Sequence, residues 1–130
     1  MLFKGIAEEI DQNEVVAPRS VGVIFRAVVN LSVEIGQFDS GYGLVDGSFN
    51  LEVPSGNSGD IVEVRVRHKS SSSDDVIDRK KFSVNSRAFV TLAAHFQVGL
   101  GENVISVEVA NNTGKPLNVA LYRRVRIILP

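Results

Sequence analysis

Apolar and polar residues alternate with a period of two along much of this 130-residue chain. The longest alternating run covers residues 23–35, where the odd positions are apolar: Val23, Phe25, Ala27, Val29, Leu31, Val33 and Ile35. Side chains at every second position of a β-strand lie on the same face. The run therefore predicts one long strand with a buried face, or two strands joined by a bend. Ile24 and Val28 make the second face partly apolar, so we expect that end to be covered on both sides.

Further alternating segments predict more strands, and the residues between them predict turns. These strands are expected near residues 48–53, 61–69, 76–84, 105–109 and 117–129. The segment RAFVTLAAHFQV at 87–98 is ambiguous, because alanine and leucine allow a helical turn whereas phenylalanine, valine and threonine favour a strand. The segments QFDSGYGLVDGS at 37–48 and SSSSDD at 70–75 have the composition of loops and turns.

The order of these segments predicts the fold class. No long segment has helical periodicity. Short strands separated by turn residues are typical of an all-β fold, and we expect a single-domain antiparallel β-sandwich over residues 21–130. Residues 1–20 are predicted to form an N-terminal arm, an edge strand, or a short helix with the apolar stripe Leu2, Phe3, Ile6 and Ile10.

The segments FVTL at 89–92 and VGLGENVISVEVANNTG at 98–114 resemble the late strands of bacterial immunoglobulin-like and fibronectin type III-like domains. In those domains an apolar strand leads to a G-x-N corner, an alternating strand follows, and a polar N-x-x-G turn opens the final hairpin. The resemblance covers roughly the last third to half of the chain, and it implies an immunoglobulin-like, Greek-key sandwich. The chain departs from the antibody-type pattern, since it has no cysteine and no tryptophan.

Gly99 and Gly101 form a G-x-G pattern that also occurs in dinucleotide-binding loops. Such loops require a third glycine and the N-terminus of a helix, where the pyrophosphate binds. Here Glu102 follows directly and brings negative charge, and the next residues alternate like a strand. The pattern therefore predicts a connection between two strands.

Residues that could support catalysis or bind a metal are few. The only histidines, His68 and His95, have a spacing that does not indicate a shared site. A metal site would need both to converge with a carboxylate, and a catalytic triad would need a nucleophile beside one of them. Asp74, Asp75 and Asp78 could bind calcium, but they lack the spacing of an EF-hand and also suit a solvated loop. We therefore expect no enzyme, no cofactor and no metal site.

The charge balance disfavours two classes of partner. The chain has 14 basic and 15 acidic residues, a net charge of −1. Proteins that bind nucleic acid or acidic membranes non-specifically usually carry a basic excess. No apolar run approaches the ~20 residues of a membrane helix, and the N-terminus lacks the apolar core of a secretion signal. With Met1 as the natural start, we expect synthesis without Sec export.

Basic residues gather in three groups. They are Arg123, Arg124 and Arg126 near the C-terminus, Arg65, Arg67 and Lys69 at the end of a predicted strand, and the short run Arg79, Lys80 and Lys81. These charges either keep strand faces soluble and strand edges protected from mispairing, or form a charged docking surface. Arginine suits such a surface because its planar guanidinium pairs with carboxylates.

Apolar and aromatic residues provide the other candidates for protein contact. Tyr42 lies in the glycine-rich segment DSGYG, where it is either an exposed anchor or a residue packed over the edge of the core. Leu2, Phe3 and Ile6 in the N-terminal segment are the remaining candidates for docking on a neighbouring subunit.

A sandwich without catalytic groups suits a binding or structural role, because its loops and strand edges are available to partners. We expect a non-catalytic component of a larger assembly, such as a bacteriophage capsid-decoration or tail-accessory protein. Its partners would be other protein subunits, copies of itself included, in the virion or a cytoplasmic assembly. The alternative is an adhesion or carbohydrate-binding immunoglobulin-like module of a longer, extracellular protein. Sugar sites usually offer aromatic platforms, so the absence of tryptophan counts against this alternative.

Overall fold

A computed structural model describes residues 4–11, 14–31, 42–53, 60–83, 86–99 and 101–129, which form nine β-strands. The strands are β1 (Lys4–Asp11), β2 (Glu14–Val16), β3 (Ser20–Leu31), β4 (Tyr42–Val53), β5 (Ile61–Lys69), β6 (Asp74–Ser83), β7 (Ser86–Gln97), β8 (Gly101–Asn111) and β9 (Leu117–Leu129). Within these residues the chain forms no helix, and hence none that is long and apolar enough to cross a membrane. The predicted all-β, single-domain sandwich is confirmed.

The strands form two antiparallel sheets that pack face to face. One sheet has the order β1-β9-β4-β7, and β2 also pairs with β9; the other has the order β3-β8-β5-β6. β1 and β2 pair with successive parts of β9, so together they occupy the place of one edge strand. Among the connections along the chain, only the one from β5 to β6 joins strands that pair with each other. Two four-stranded sheets connected in this way form a jelly roll.

This topology corrects the immunoglobulin-like resemblance. Immunoglobulin domains group their strands as ABED and CFG, which is not the order found here. The predicted final hairpin at residues 111–114 is wrong, because β8 and β9 lie in different sheets and residues 112–116 carry the chain between them. Polar turn residues indicate that a chain changes direction, but they do not indicate whether the flanking strands pair.

The core lies between the two sheets and is rich in valine. Alternate residues of β5 and β8 point into it, among them Val62, Val64, Ile105 and Val107, which are almost fully buried. Burying a side chain of this size contributes about 1.5–3 kcal/mol. The alternation read from the sequence is confirmed for both strands.

In β3 the alternation is interrupted by an extra residue. The register with β8 shifts between Val23 and Phe25, so that Ile24 forms a β-bulge. From Phe25 onward the odd positions face the core as predicted, but Val23 is 49% exposed on the outer face while Ile24 is buried. Val28 is partly exposed as well, so the expectation that both faces are covered at this end is wrong. Residues 32–35 of the predicted run lie outside the described residues.

Residues 42–48, predicted as loop and turn, instead belong to the long central strand β4. This strand pairs with β7 on one side and with β9 on the other. Glycine is needed at position 43, because a Cβ atom there would overlap the buried ring of Phe96. Glycine in this segment therefore marks a close approach between strand and side chain rather than a turn. The ambiguous segment 87–98 is a strand over Ser86–Gln97.

Replacing Gly43 with alanine tests this packing. We expect Gly43→Ala to lower the free energy of unfolding by about 1–3 kcal/mol, because the new methyl group must displace Phe96 in a packed core. The matched control is Gly114→Ala, since a Cβ at position 114 has no atom within 4 Å; its effect should stay within about 0.5 kcal/mol. Urea unfolding of both variants measures the difference, and equal stabilities would contradict the packing described.

Candidate docking surface

Three exposed valines lie on the outer face of β3. Val21, Val23 and Val28 are 54%, 49% and 38% exposed. β3 is 12 residues long and lies at the edge of its sheet, where β8 is its single strand partner among the described residues. Long edge strands with exposed apolar residues readily pair or pack with other chains. We call Val21, Val23 and Val28 the valine strip.

The other edge of the same sheet is connected to the facing sheet. Lys80 of β6 donates a hydrogen bond from Nζ to the backbone oxygen of Thr91 in β7. β6 also carries charged residues along its length, which discourage pairing with another strand. The two edges therefore differ, and β3 is the one that offers apolar surface.

Next to the valine strip, the outer face carries a network of ion pairs. Arg65 Nε lies 2.6 Å from Glu63 Oε1, and Arg67 Nε lies 3.0 Å from Glu108 Oε1. Arg67 also reaches Asp74, with 3.2 Å between Nη1 and Oδ1. These pairs join three neighbouring strands, so the charged half of the face has a fixed arrangement.

Ionisation of the network follows from its geometry. The hydrogen bond from Arg65 lowers the pKa of Glu63 below its ordinary value of 4.5, against the opposing effect of burial. Nearby Arg79 and Lys81 act in the same direction as Arg65. Hydrogen bonds to Asp74 and Glu108 raise the pKa of Arg67. Glu63 and Arg67 therefore stay charged at neutral pH.

A shallow groove of about 400 Å³ separates the valine strip from the ion-pair network. Its lining includes Val23 and Val104 together with three cations, Arg26, Arg67 and Lys69, and the acidic residue Glu102. Within the described part of the chain neither Arg26 nor Lys69 has an ion pair or a side-chain hydrogen bond, whereas Arg65 and Arg67 have both. The groove therefore combines apolar surface with charged groups of both signs, in which the cations outnumber the single acidic residue.

The arginines predicted as a docking cluster lie on a central strand. Arg123, Arg124 and Arg126 belong to β9, which pairs with both β1 and β4. In the register Arg124 lies opposite Glu9 of β1, and Arg123 lies beside the irregularity between Phe49 and Leu51 of β4. These arginines are thus on a different sheet from the valine strip, and their role in docking stays a prediction.

The remaining predicted contact residues are spread over the same sheet. Ile6 lies in β1 opposite Ile127, and Tyr42 begins β4 opposite Gln97. Leu2 and Phe3 lie outside the described residues. The described structure does not bring Ile6 and Tyr42 together on adjacent strands, because β9 separates β1 from β4.

Apart from the exposed Val15 of β2, two exposed apolar features were not predicted from the sequence. One is the valine strip, which simple alternation places partly in the core. The other is Phe89 in β7, which is 65% exposed. The contiguous apolar residues Val23, Ile24 and Phe25 were a usable signal, since such a run in an alternating strand is compatible with a bulge.

A second feature is a cleft of about 410 Å³ at one end of the sandwich. Both histidines, His68 and His95, line it, although their spacing in sequence does not indicate a shared site. His68 is buried against Phe96, with 4.9 Å between the ring centroids, and its Nε2 lies 2.9 Å from Asn103 Oδ1. The described residues contain no group of three or more histidine, aspartate or glutamate side chains that could hold a metal ion.

Neither a protein-family model nor a curated protein sequence matches the chain. Solved structures do match. The chain of infectious bursal disease virus, Gx strain, is similar with a TM-score of 0.59 and 6% identity, over 98% of this chain and 31% of the viral chain. The VP2 subviral particle of that virus is similar with a TM-score of 0.56 and 6% identity, over 98% of this chain and 32% of the viral chain. Murine APRIL at pH 5.0 is similar with a TM-score of 0.55 and 11% identity, over 96% of this chain and 98% of the APRIL chain.

These likenesses concern the fold. At sequence identities this low, the shared property is the arrangement of the strands. The likenesses agree with the jelly-roll order of the two sheets. This chain spans about a third of the length of the viral chains and nearly the whole of murine APRIL.

The pH dependence of stability tests the ion-pair network. The pKa of Glu63 is lower in the folded protein than in the unfolded chain. The ionised carboxylate therefore stabilises the fold at pH values above the unfolded pKa. This stabilisation is lost as the pH falls through the folded pKa. The stability difference between wild type and Glu63→Gln should therefore be largest at pH 7 and shrink as pH falls below about 4.5.

Urea unfolding between pH 7 and about pH 3 measures this difference. The control is Glu52→Gln, because Glu52 pairs with Arg87 at a well-exposed position. Loss of this ion pair should lower the free energy of unfolding by less than about 1 kcal/mol at any pH. A Glu63→Gln effect of constant size across the range would contradict the described network.

Proposed function

We propose that this chain is a non-catalytic structural subunit of a bacteriophage virion, a capsid-decoration or tail-accessory protein that docks on other protein subunits. The observation that carries the proposal is the outer face of β3-β8-β5-β6. Within the described residues, the valine strip there lies on an edge strand beside Arg26 and Lys69, two cations without ion-pair partners.

The composition of this face suits a protein partner. Interfaces between subunits have an apolar centre surrounded by polar groups, and arginine is enriched in them. Covering the valine strip would remove apolar surface from water, which favours association at about 25 cal/mol per Å² before the costs of ordering. Arg26 and Lys69 would meet acidic groups of the partner, which adds specificity and speeds association.

The geometry of β3 offers a second source of affinity. An edge strand has backbone N–H and C=O groups that can pair with a strand of another subunit. The bulge at Ile24 limits how far such pairing extends, because it changes the register between Val23 and Phe25. We therefore place the docking contact on the outer face and edge of β3, with no role for nucleic acid or membrane.

Support for a virion, as opposed to another assembly, comes from the fold alone. The chain of infectious bursal disease virus, Gx strain, and the VP2 subviral particle of that virus have a similar fold. The proposed place of this chain, in the virion or in a cytoplasmic assembly intermediate, needs a direct test.

Density-gradient sedimentation provides that test. Phage particles are induced from the host that encodes the chain, and each fraction is analysed for it by mass spectrometry. We expect the chain to sediment with the particles and to resist washing in moderate salt. A chain that stays at the top of the gradient would overturn the proposal.

A pair of variants tests whether the valine strip makes the contact. The double variant Val21→Glu/Val23→Glu introduces charge into the strip, and we expect its binding to particles that lack the native chain to weaken about tenfold or more. The control is Val15→Glu, because Val15 is 59% exposed but lies on β2, which pairs with the other sheet. Equal binding of the two variants would place the contact elsewhere on the molecule.

A further inference from the structure

The proton on His68 can be placed from its neighbours. Asn103 donates from Nδ2 to the backbone oxygens of Gly99, at 2.7 Å, and Gly101, at 3.3 Å. Its Oδ1 accepts the backbone N–H of Gly99 at 3.0 Å, so the orientation of the amide is settled. The same Oδ1 lies 2.9 Å from His68 Nε2, which must therefore carry a proton.

In the neutral ring of His68 the other nitrogen, Nδ1, is then an acceptor with a free lone pair. Within the described residues this atom has no hydrogen-bond partner, although the residue is only 6% exposed. Buried polar atoms in proteins nearly always have a partner, in the protein, in water or in a ligand. His68 lines the cleft at the end of the sandwich.

The rest of the cleft is also rich in hydrogen-bonding groups. Its polar lining includes Ser70, Ser72, Ser73, Asp75, His95 and Gln97. Asp75 is the one acidic residue among the described residues of the lining, and it has no ion pair within the described part of the chain. No lysine or arginine is among these described lining residues. This electrostatic character disfavours an anionic ligand and favours one that donates hydrogen bonds.

Apolar groups complete the lining. Ile77, Phe96 and Val98 contribute to it beside the polar residues. A volume of about 410 Å³ is within the usual range of small-ligand sites. A ligand that combines several hydroxyl donors with an apolar C–H face, as a sugar ring does, suits both parts of the lining.

We propose that this cleft binds a saccharide unit. One hydroxyl group donates to Nδ1 of His68, another donates to the carboxylate of Asp75, and the C–H face of the ring packs against the apolar part of the lining. This inference is independent of the docking function, since the cleft shares neither Val21, Val23 nor Val28 with the valine strip.

Nuclear magnetic resonance of the full ¹⁵N-labelled chain tests the proposal. The probes are glucose, galactose, mannose and N-acetylglucosamine, each titrated to about 50 mM, which detects dissociation constants in the millimolar range. At least one sugar should shift the backbone amides of residues 68–75 and 95–99 in a saturable way. The Nδ1 resonance of His68 should shift in the same titration, because its lone pair accepts a hydrogen bond.

Two neighbouring aspartates provide matched variants. Asp75→Asn removes the charge in the cleft and should weaken the sugar about tenfold, as expected for a hydrogen bond to a charged group. Asp74→Asn is the control, because Asp74 pairs with Arg67 on the outer face and does not line the cleft; its affinity should stay within about twofold of wild type. Both positions are exposed, so neither substitution should prevent folding.

Three outcomes would overturn the proposal. They are no saturable shift with any of the four sugars, shifts confined to residues outside the cleft, or equal effects of Asp75→Asn and Asp74→Asn. Sedimentation with phage particles is unaffected by each of these outcomes, so failure of the saccharide site and failure of the docking function are distinguishable.

Discussion

The jelly roll depends on two buried asparagines that close the ends of β8. A chain that passes between two sheets leaves backbone carbonyl groups outside the strand ladders, and an unpaired buried group costs about 1–3 kcal/mol. Asn111 donates from Nδ2 to the oxygens of Val16, Ala17 and Lys115 at 3.1, 3.2 and 2.8 Å. It thereby joins the connection before β3 to the connection after β8. Asn103 does the same for the corner that precedes β8, and both asparagines are fully buried.

These two corners determine what the outer surface can do. They hold β8 in the middle of its sheet between β3 and β5, so the outer face of that sheet is a fixed platform. The ion pairs of Glu63, Arg65 and Arg67 occupy one half of the platform, and the bulge at Ile24 turns Val23 outward on the other half. The same backbone irregularity therefore places Ile24 in the core and exposes the apolar side chain of Val23.

Much of the fold could be predicted because alternation reports directly on burial. Val62 and Val64 in β5, like Ile105 and Val107 in β8, lie where period two places them. The bulge at Ile24 could not be located, because it depends on the match between β3 and β8. The pairing of β9 with β4, and not with β8, also depends on contacts between residues that are far apart in sequence. Local turn residues carry no information about which strands pair.

The sites were less predictable than the fold. Gly43 suggests a turn by its type, yet its role is to leave room for Phe96, which is distant in sequence. His68 and His95 meet at one cleft because β5 and β7 end at the same end of the sandwich. In both cases the decisive information is a contact between sheets.

Cryo-electron microscopy of the purified phage particle is the most direct measurement of the central claim, that the chain acts by docking through the outer face of β3. The account predicts density for the jelly roll with Val21, Val23 and Val28 covered by a neighbouring subunit and Arg26 facing acidic groups. A particle in which this face lies open to solvent, while another surface of the chain makes the contact, would contradict it.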